Sequence, residues 1–368
     1  MASANDAARC MLWEHMDQPA IALSPDEKNL FLVRTLGRNG EVLPYERTSN
    51  SSFKSLSSVI YNNCWNAAFQ SSAKWNIIAG KDVILTSFSS TSTGGNIFLM
   101  NATNKSHLTN FARIDGNTMN HYLIPAVAMT QDEKTVIYIN DTSFRGGKNQ
   151  LLNIVTLSDN GVVNYTLSNY QIPALTRSNR FSIIKASKNG NFAFYVNCEL
   201  LIYNIRDHQS PILESIYDLN ISRVYAFTLS KNEQTLYLFG LNIANNKTLQ
   251  ILDISDVKSP KLLSYILISQ SSESTDSIEL SPDNRMLFLG FSDGLLMIDV
   301  QTPSQPILFG YNYFVNEMNA FKFANNGSLF YTVSALGLTA FDITSQYMLS
   351  IRNSDFKVGG SYQVSLNV

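Results

Sequence analysis

The sequence predicts an all-β fold: a seven-bladed β-propeller built of four-stranded antiparallel blades. Three observations carry the expectation. A segment recurs almost as a copy at Leu200–Pro211, Leu249–Pro260 and Leu295–Pro306, and its first half returns at Leu338–Thr344. Upstream of each copy a polar turn separates two apolar stretches. No segment longer than a turn carries a convincing 3.6-residue apolar period. Self-similarity at a spacing of about 40–50 residues is the mark that repeat architectures leave in a sequence.

The units follow in order. Leu23–Val33 opens the first and Ile78–Leu85, a weaker copy, the second. Met129–Tyr138, Ala186–Tyr195, Leu229–Leu238, Ile278–Leu289 and Phe323–Tyr331 open the rest, which makes seven hairpins. In Ser24-Pro25-Asp26 and Ser281-Pro282-Asp283 the proline presets φ and the aspartate can bond back to the local backbone, as a tight turn requires. A third strand follows, closed by Asp253, Asp299 or Asp342, with Asn204 once in that place. A repeated aspartate could be catalytic or bind calcium. Recurrence at one position of every unit instead points to an acceptor for backbone N–H groups of the next turn. Outer strands come last, at Ile212–Tyr217, Lys261–Ile266 and Ile307–Tyr311. Four short strands per unit, repeated, build four-stranded sheets around a central channel.

The expected layout is an N-terminal segment at residues 1–17, a propeller at 18–352 whose first two blades are degenerate, and a tail strand at 353–368. Ser361–Val368 alternates apolar and polar positions. It reads as a strand that closes the ring and covers an open sheet edge; the alternative is the start of an eighth unit in a longer chain.

Composition excludes more than it identifies. The chain has 27 Lys and Arg against 29 Asp and Glu, with 45% hydrophobic residues and only 15% charged. With no basic cluster, neither nucleic acid nor an anionic membrane patch is expected as a partner. No run approaches the roughly 18–20 apolar residues of a membrane helix, and the first 17 residues do not form a signal peptide, which favours an intracellular location. Cys10, Cys64 and Cys198 are far apart and lack metal-ligand spacing, so buried thiols are expected and no metal or other cofactor. Eight Asn-x-Ser/Thr sites are about what chance gives in a chain so rich in these residues.

The Leu-x-Ile-x-Asp-Ile-Ser-Asp-x-x-x-Pro pattern with an upstream Ser-Pro-Asp turn resembles the LVIVD repeat, within the broader YVTN/WD40-like propellers. The match is close over residues 186–343, looser over 119–160 and poor before about residue 118. The resemblance implies a β-propeller and no shared active-site motif, so it carries over no catalytic residue. It also implies a habit of sitting in larger or surface-displayed proteins.

Propellers commonly bind ligands at the mouth of the channel, on the loops that lead into each innermost strand. Counting back from the hairpins places His15 and His121 at matching positions of the first and third units. The corresponding loops supply Asn179, Arg180, Arg223, Glu273, Asp276 and, with Asn316, Glu317. Such a mouth could hold an anionic or peptide-like ligand on Arg180 and Arg223, with the histidines adding metal ligation or proton transfer. Exposed loops are polar on any face, however. His107 and His208 fall on the opposite face and are expected to be solvated. Trp13, Trp65 and Trp75 read as core filling.

With no catalytic residue identified, the expected function is a non-catalytic binding scaffold, a protein–protein interaction platform. Its mark would be an exposed apolar patch, for which Tyr311, Tyr313 and Phe314 are the candidates. Two alternatives stand beside it. A propeller hydrolase or lactonase needs acids, amides or histidines converging on the channel, whereas the inner strands here are largely apolar. An extracellular adhesion or receptor module would fit a longer secreted product.

Overall fold

The computed structural model describes residues 20–36, 39–48, 53–61, 76–88, 96–104, 107–115, 123–141, 150–157, 163–164, 170–173, 182–269, 274–313, 320–324, 329–334 and 337–342. The chain divides into two compact units, Met1–Glu46 with Lys54–Ile216 and Arg47–Phe53 with Tyr217–Val368.

The first unit holds four sheets, all antiparallel. The first runs β1 (Ala20–Leu23), β2 (Asn29–Leu36), β3 (Asn39–Arg47) and β4 (Phe53–Ser55), with β5 (Val59–Tyr61) also paired to β3. The second runs β6 (Asn76–Ala79), β7 (Val83–Phe88), β8 (Asn96–Asn101) and β9 (Thr109–Asp115). In the third, β10 (Leu123–Met129), β11 (Thr135–Asp141) and β12 (Gln150–Leu157) are followed by two short strands against β12, namely β13 (Val163–Asn164) and β14 (Tyr170–Gln171). The fourth runs β15 (Ile183–Ala186), β16 (Phe192–Val196), β17 (Glu199–Asn204) and β18 (Ile212–Asp218), whose last two residues fall beyond the division.

The second unit repeats the plan. Its first sheet is β19 (Ile221–Leu229), β20 (Thr235–Asn242), β21 (Lys247–Asp253) and β22 (Lys261–Leu267). Next come β23 (Ser274–Leu280), β24 (Met286–Phe291), β25 (Gly294–Asp299) and β26 (Ile307–Tyr313), then β27 (Ala320–Phe323), β28 (Leu329–Ser334) and β29 (Gly337–Asp342).

These are the small antiparallel sheets of an all-β propeller. The expectation of seven four-stranded blades is corrected to six, because the last sheet has three strands among the described residues. The residues that follow Asp342 lie outside the described residues. The segments 1–17 and 353–368, with the proposed closing strand, lie outside the described residues. No helix among the described residues is long and apolar enough to cross a membrane.

The hairpins hold one polar device, used five times. Ser24, Thr130, Ser187, Ser230 and Ser281 each donate a hydroxyl to the side-chain oxygen two residues on, at 2.5–2.7 Å: Asp26, Asp132, Asn189, Asn232 and Asp283. Each hydroxyl also accepts the N–H five residues on, at 2.9–3.1 Å. The Asp or Asn accepts the N–H two residues after it. To bring those groups together the next residue turns left-handed, with φ between 57° and 69° at Glu27, Glu133, Gly190, Glu233 and Asn284. Glycine adopts that conformation freely. For a glutamate it costs about 1–2 kcal/mol, which the saturated turn offsets.

Two of these left-handed residues also tie neighbouring blades. The Glu133 carboxylate accepts the backbone N–H groups of Lys81, Asp82 (2.9 Å) and Val83 (2.8 Å) in the shorter β6–β7 turn. Asn284 Oδ1 accepts the N–H of Lys231 at 2.8 Å. The acceptor role expected of the third-strand aspartates is also observed. Asp253 takes the N–H of Ser255, Asp299 that of Gln301 and Asn204 that of Arg206.

Apolar burial lies between blades rather than within them. In the first unit Phe31, Val33 and Val42 of the first sheet meet Ile84 and Met100 of the second. In the second unit Phe239, Leu249 and Ile251 pack on Leu287, Leu289 and Phe291, with the Phe239 and Phe291 rings 5.6 Å apart. Each two-sided central strand therefore reads as a continuous apolar run, as Met286–Phe291 does, with all six residues buried.

Candidate functional site

The channel-mouth set can be followed at two of its eight positions. His15, His121, Asn179, Arg180, Glu273 and Glu317 lie outside the described residues, as does Asn316. Asp276 is placed on β23, and Arg223 near the start of β19. The Arg223 guanidinium lies over the Tyr225 ring, 5.0 Å from its centroid, a cation–π geometry. The β19–β20 register shifts on both sides of Arg223, between Ile221 and Arg223 and between Val224 and Ala226. Such bulges bend a strand and re-aim its side chains. Gly240, paired with Val224, lies where a Cβ would run into the Arg223 carbonyl oxygen. Arg223 is half-buried and built into its sheet, more a packed cation than an open hook.

The first strands, which line the channel of a propeller, are not uniformly apolar. Two residues before the hairpin serine or threonine stand Ala22 and Ala128, but also Lys185, Thr228 and Glu279. At the matching place on β27, Lys322 reaches Glu279 with Nζ 2.6 Å from Oε1, and both side chains are partly exposed. The pair is the channel-side chemistry that counting back to the loops passed over. The visible signal was a charge in the apolar strand Ile278-Glu279-Leu280. Among the described residues no group of three His, Cys, Asp or Glu could hold a metal.

The secondary expectations divide. Cys198 is a buried thiol, while Cys10, Cys64 and the three tryptophans fall outside the described residues. His107 is exposed in the β8–β9 turn. His208 is half-buried rather than solvated, its Nδ1 lying 3.2 Å from Thr156 Oγ1 of the preceding blade. Tyr311 does not form an exposed patch: it is half-buried, packs on Phe291 and donates its hydroxyl to Asp293. Phe314 lies outside the described residues, and Tyr313 is placed only as a strand residue of β26.

The ionisation states follow the turns and the core. At Asp132 burial opposes ionisation, but the hydrogen bonds from Thr130 and the Lys134 N–H outweigh it and hold the carboxyl below its ordinary value. Hydrogen bonds from Ser255 lower Asp253 likewise. Burial pushes the Tyr237 hydroxyl up to about 12 and raises Tyr203 further, with Tyr170 and Tyr195 adding to it. None of these groups is poised to exchange protons near neutrality.

Apolar exposure has a clear address. Eleven large apolar side chains are exposed among the described residues, and ten lie on outer strands; Ile243, in the β20–β21 turn, is the exception. In the first unit they are Ile60 on β5 with Ile212 and Ile216 on β18. In the second they are Leu262, Leu263, Tyr265 and Leu267 on β22 with Ile307, Leu308 and Phe309 on β26. The outer strands are bulged at one repeated place. Leu263 is the extra residue between the pairs Ser264–Ile251 and Leu262–Leu252, and Phe309 the extra one between Gly310–Met297 and Leu308–Ile298. In β9 the same count leaves Phe111. Ser264 Oγ donates to the Pro303 carbonyl at 3.0 Å and so links β22 to the turn that leads into β26.

No family model and no curated protein matches the chain. Solved structures match its fold at low identity. A protein of unknown function from Desulfotomaculum acetoxidans is 11% identical, covering 84% of this chain and 92% of its own, with a TM-score of 0.59. A Bacteroides fragilis protein provisionally described as a 6-phosphogluconolactonase is also 11% identical, covering 82% and 85%, at 0.62. The periplasmic gluconolactonase of Pseudomonas aeruginosa is 10% identical, covering 89% and 92%, at 0.54. At these identities the likeness is one of fold.

Proposed function

We propose that the protein is a non-catalytic binding scaffold whose contact surface is the apolar outer edge of its blades. The observation that carries this reading is that ten of the eleven exposed large apolar residues among the described residues lie on outer strands. Exposed apolar patches on a protein surface mark interaction sites. The sequence resemblance to LVIVD repeats agrees with it, since that family lacks a shared active-site motif. Leu263→Glu with Phe309→Glu is expected to abolish contacts that the wild type makes, and Arg223→Glu to leave them intact. Crosslinking of wild type and both variants, with each adduct mapped by mass spectrometry, checks this. Adducts at β19 that survive the outer-strand change would move the contact surface to the mouth.

A second reading, a lactone hydrolase, is favoured by the described activity of two fold neighbours and by the Glu279–Lys322 pair on the first strands. Incubation with gluconolactone and its 6-phosphate decides it. The scaffold reading expects the rate of spontaneous ring opening; turnover lost in Glu279→Gln would replace it.

A further inference from the structure

Two cations of the second unit stand in one cross-strand row. Arg223 on β19 pairs with Leu241 on β20, and Leu241 pairs with Lys247 on β21. Residues paired across neighbouring strands point to the same side, so all three side chains leave one face of the sheet. That face packs on the next blade: Tyr225, Phe239 and Leu249 meet Leu287, Leu289 and Phe291, with Leu241 against the same core. Strands lie about 4.8 Å apart, so the two cationic residues start about 10 Å apart, a separation that long side chains close.

The row marks where the core between these two blades ends. One pair inward, Phe239 and Leu249 are wholly buried, while beyond the row Ile243 is 56% exposed. Arg223, Leu241 and Lys247 themselves are half-buried.

Both charges are aimed by the sheet. Lys247 leans across to the next blade, its Nζ 5.3 Å from the centre of the Phe291 ring, as the Arg223 guanidinium lies over Tyr225. Phe239 joins the two rings, 5.2 Å from Tyr225 and 5.6 Å from Phe291, so one aromatic run underlies both cations. The strand departs from regularity at Arg223. Its register shifts on either side, Ser222 Oγ ties it to the Asn242 carbonyl at 2.8 Å, and Gly240 makes room for the Arg223 carbonyl. Bulges are over-represented beside functional sites, where they re-aim a side chain, and a glycine within a strand marks a close approach. A cation held in this way has little freedom left to lose on binding.

The ligand class follows from the charges. Two like charges on a half-buried face repel more strongly than in water, and a group of double negative charge offsets both. The guanidinium fork matches the oxygens of a carboxylate or a phosphate, and the ammonium adds a point charge. A carboxylate brings a single charge, whereas a phosphate monoester carries about −1.5 to −2 at neutral pH.

We infer that Arg223 and Lys247 bind a phosphoryl group, as free phosphate or as the monoester of a small molecule, at the open end of the cleft between the β19–β22 and β23–β26 sheets. The row lies on β19–β21, apart from the exposed apolar residues of β22 and β26, so the site goes beyond the scaffold reading and does not depend on it.

Isothermal titration at low ionic strength, with inorganic phosphate and separately with glycerol 2-phosphate, tests it. One-to-one binding with a dissociation constant of about 1 mM or tighter is expected. Arg223→Gln and Lys247→Gln should each weaken it at least about tenfold, as loss of a charge-assisted contact does. Lys247→Arg should keep it, and Lys261→Gln, at an exposed position of β22, should leave it unchanged. A melting temperature for each variant separates lost binding from lost fold, and should Arg223→Gln fail to fold, Lys247→Gln decides alone. Binding of either probe keeps the inference, and the tighter of the two identifies the source of the phosphoryl group. No saturable heat from either at about 20 mM overturns it, as does an affinity unchanged in the folded variants. Either failure leaves the crosslinking prediction for the outer strands as it stands.

Discussion

The two ends of each blade's repeat are built on opposite chemistry. At the hairpin between the first and second strands, one hydroxyl and one Asp or Asn side chain satisfy successive backbone N–H groups, five times over. At the outer strand the repeat leaves apolar side chains in water on four blades, at β5, β18, β22 and β26. Burial of apolar surface drives folding, so a repeat that spends leucine and isoleucine on exposed edges gains no stability there. Turn and outer strand thus answer different requirements: the turn fixes the fold, while the edge is free to serve contact.

The largest effect should come from the turn. Ser281→Ala removes the acceptor of the buried Met286 N–H and the donor to Asp283; an unsatisfied buried donor costs about 1–3 kcal/mol. A drop of that size is expected in denaturant melts. Loss of less than about 0.5 kcal/mol would show that the polar turn is ornament and weaken the contrast.

Next comes the tie between blades. Glu133→Ala removes a carboxylate that holds three N–H groups of the β6–β7 turn. Because those donors can turn to water, about 1 kcal/mol is expected, with faster hydrogen exchange at residues 80–83. Glu133→Gly should recover part of the loss by relieving the left-handed backbone at that position.

Acid sharpens the same point. The folded Asp132 carboxyl titrates below its ordinary value. Its contribution is therefore fully present above the unfolded value near 3.9, and is lost as pH falls through the lower folded value. Between pH 5 and pH 2 the wild type should lose more stability than Asp132→Asn, which copies the Asn189 and Asn232 turns. Equal losses would assign the acid sensitivity elsewhere.

The smallest effects on stability belong to the exposed residues. Lys322→Met breaks a partly exposed ion pair and should cost no more than about 1 kcal/mol. Leu263→Ser and Phe309→Ser should fall within about 0.5 kcal/mol of the wild type. A large loss at either would make the edge a part of the core and erase the contrast.

Legibility in the sequence followed the same division. Ser-Pro-Asp and the closing Asp253 and Asp299 were readable because a short polar side chain beside a turn bonds locally, and local partners are adjacent in sequence. A glutamate in left-handed backbone was not readable, since the reward at Glu133 comes from residues 50–52 positions away. Exposure of the outer strands was hidden by their bulges. Leu262-Leu263 and Leu308-Phe309 break the alternation by which an exposed face is recognised. Register shifts in β10, β19 and β23 change the offset between a turn and the loop before its strand. The half-copy at Leu338–Thr344 was legible as a third strand, β29, and the last sheet has three strands among the described residues.

Crosslinking of the wild type beside Leu263→Glu with Phe309→Glu, with each adduct mapped by mass spectrometry, tests the central claim most directly. Adducts are expected at residues 261–267 and 307–313 of the wild type and are expected to disappear in the variant. Adducts at 221–229 that survive the outer-strand change would contradict the account and return the contact surface to the mouth of the channel.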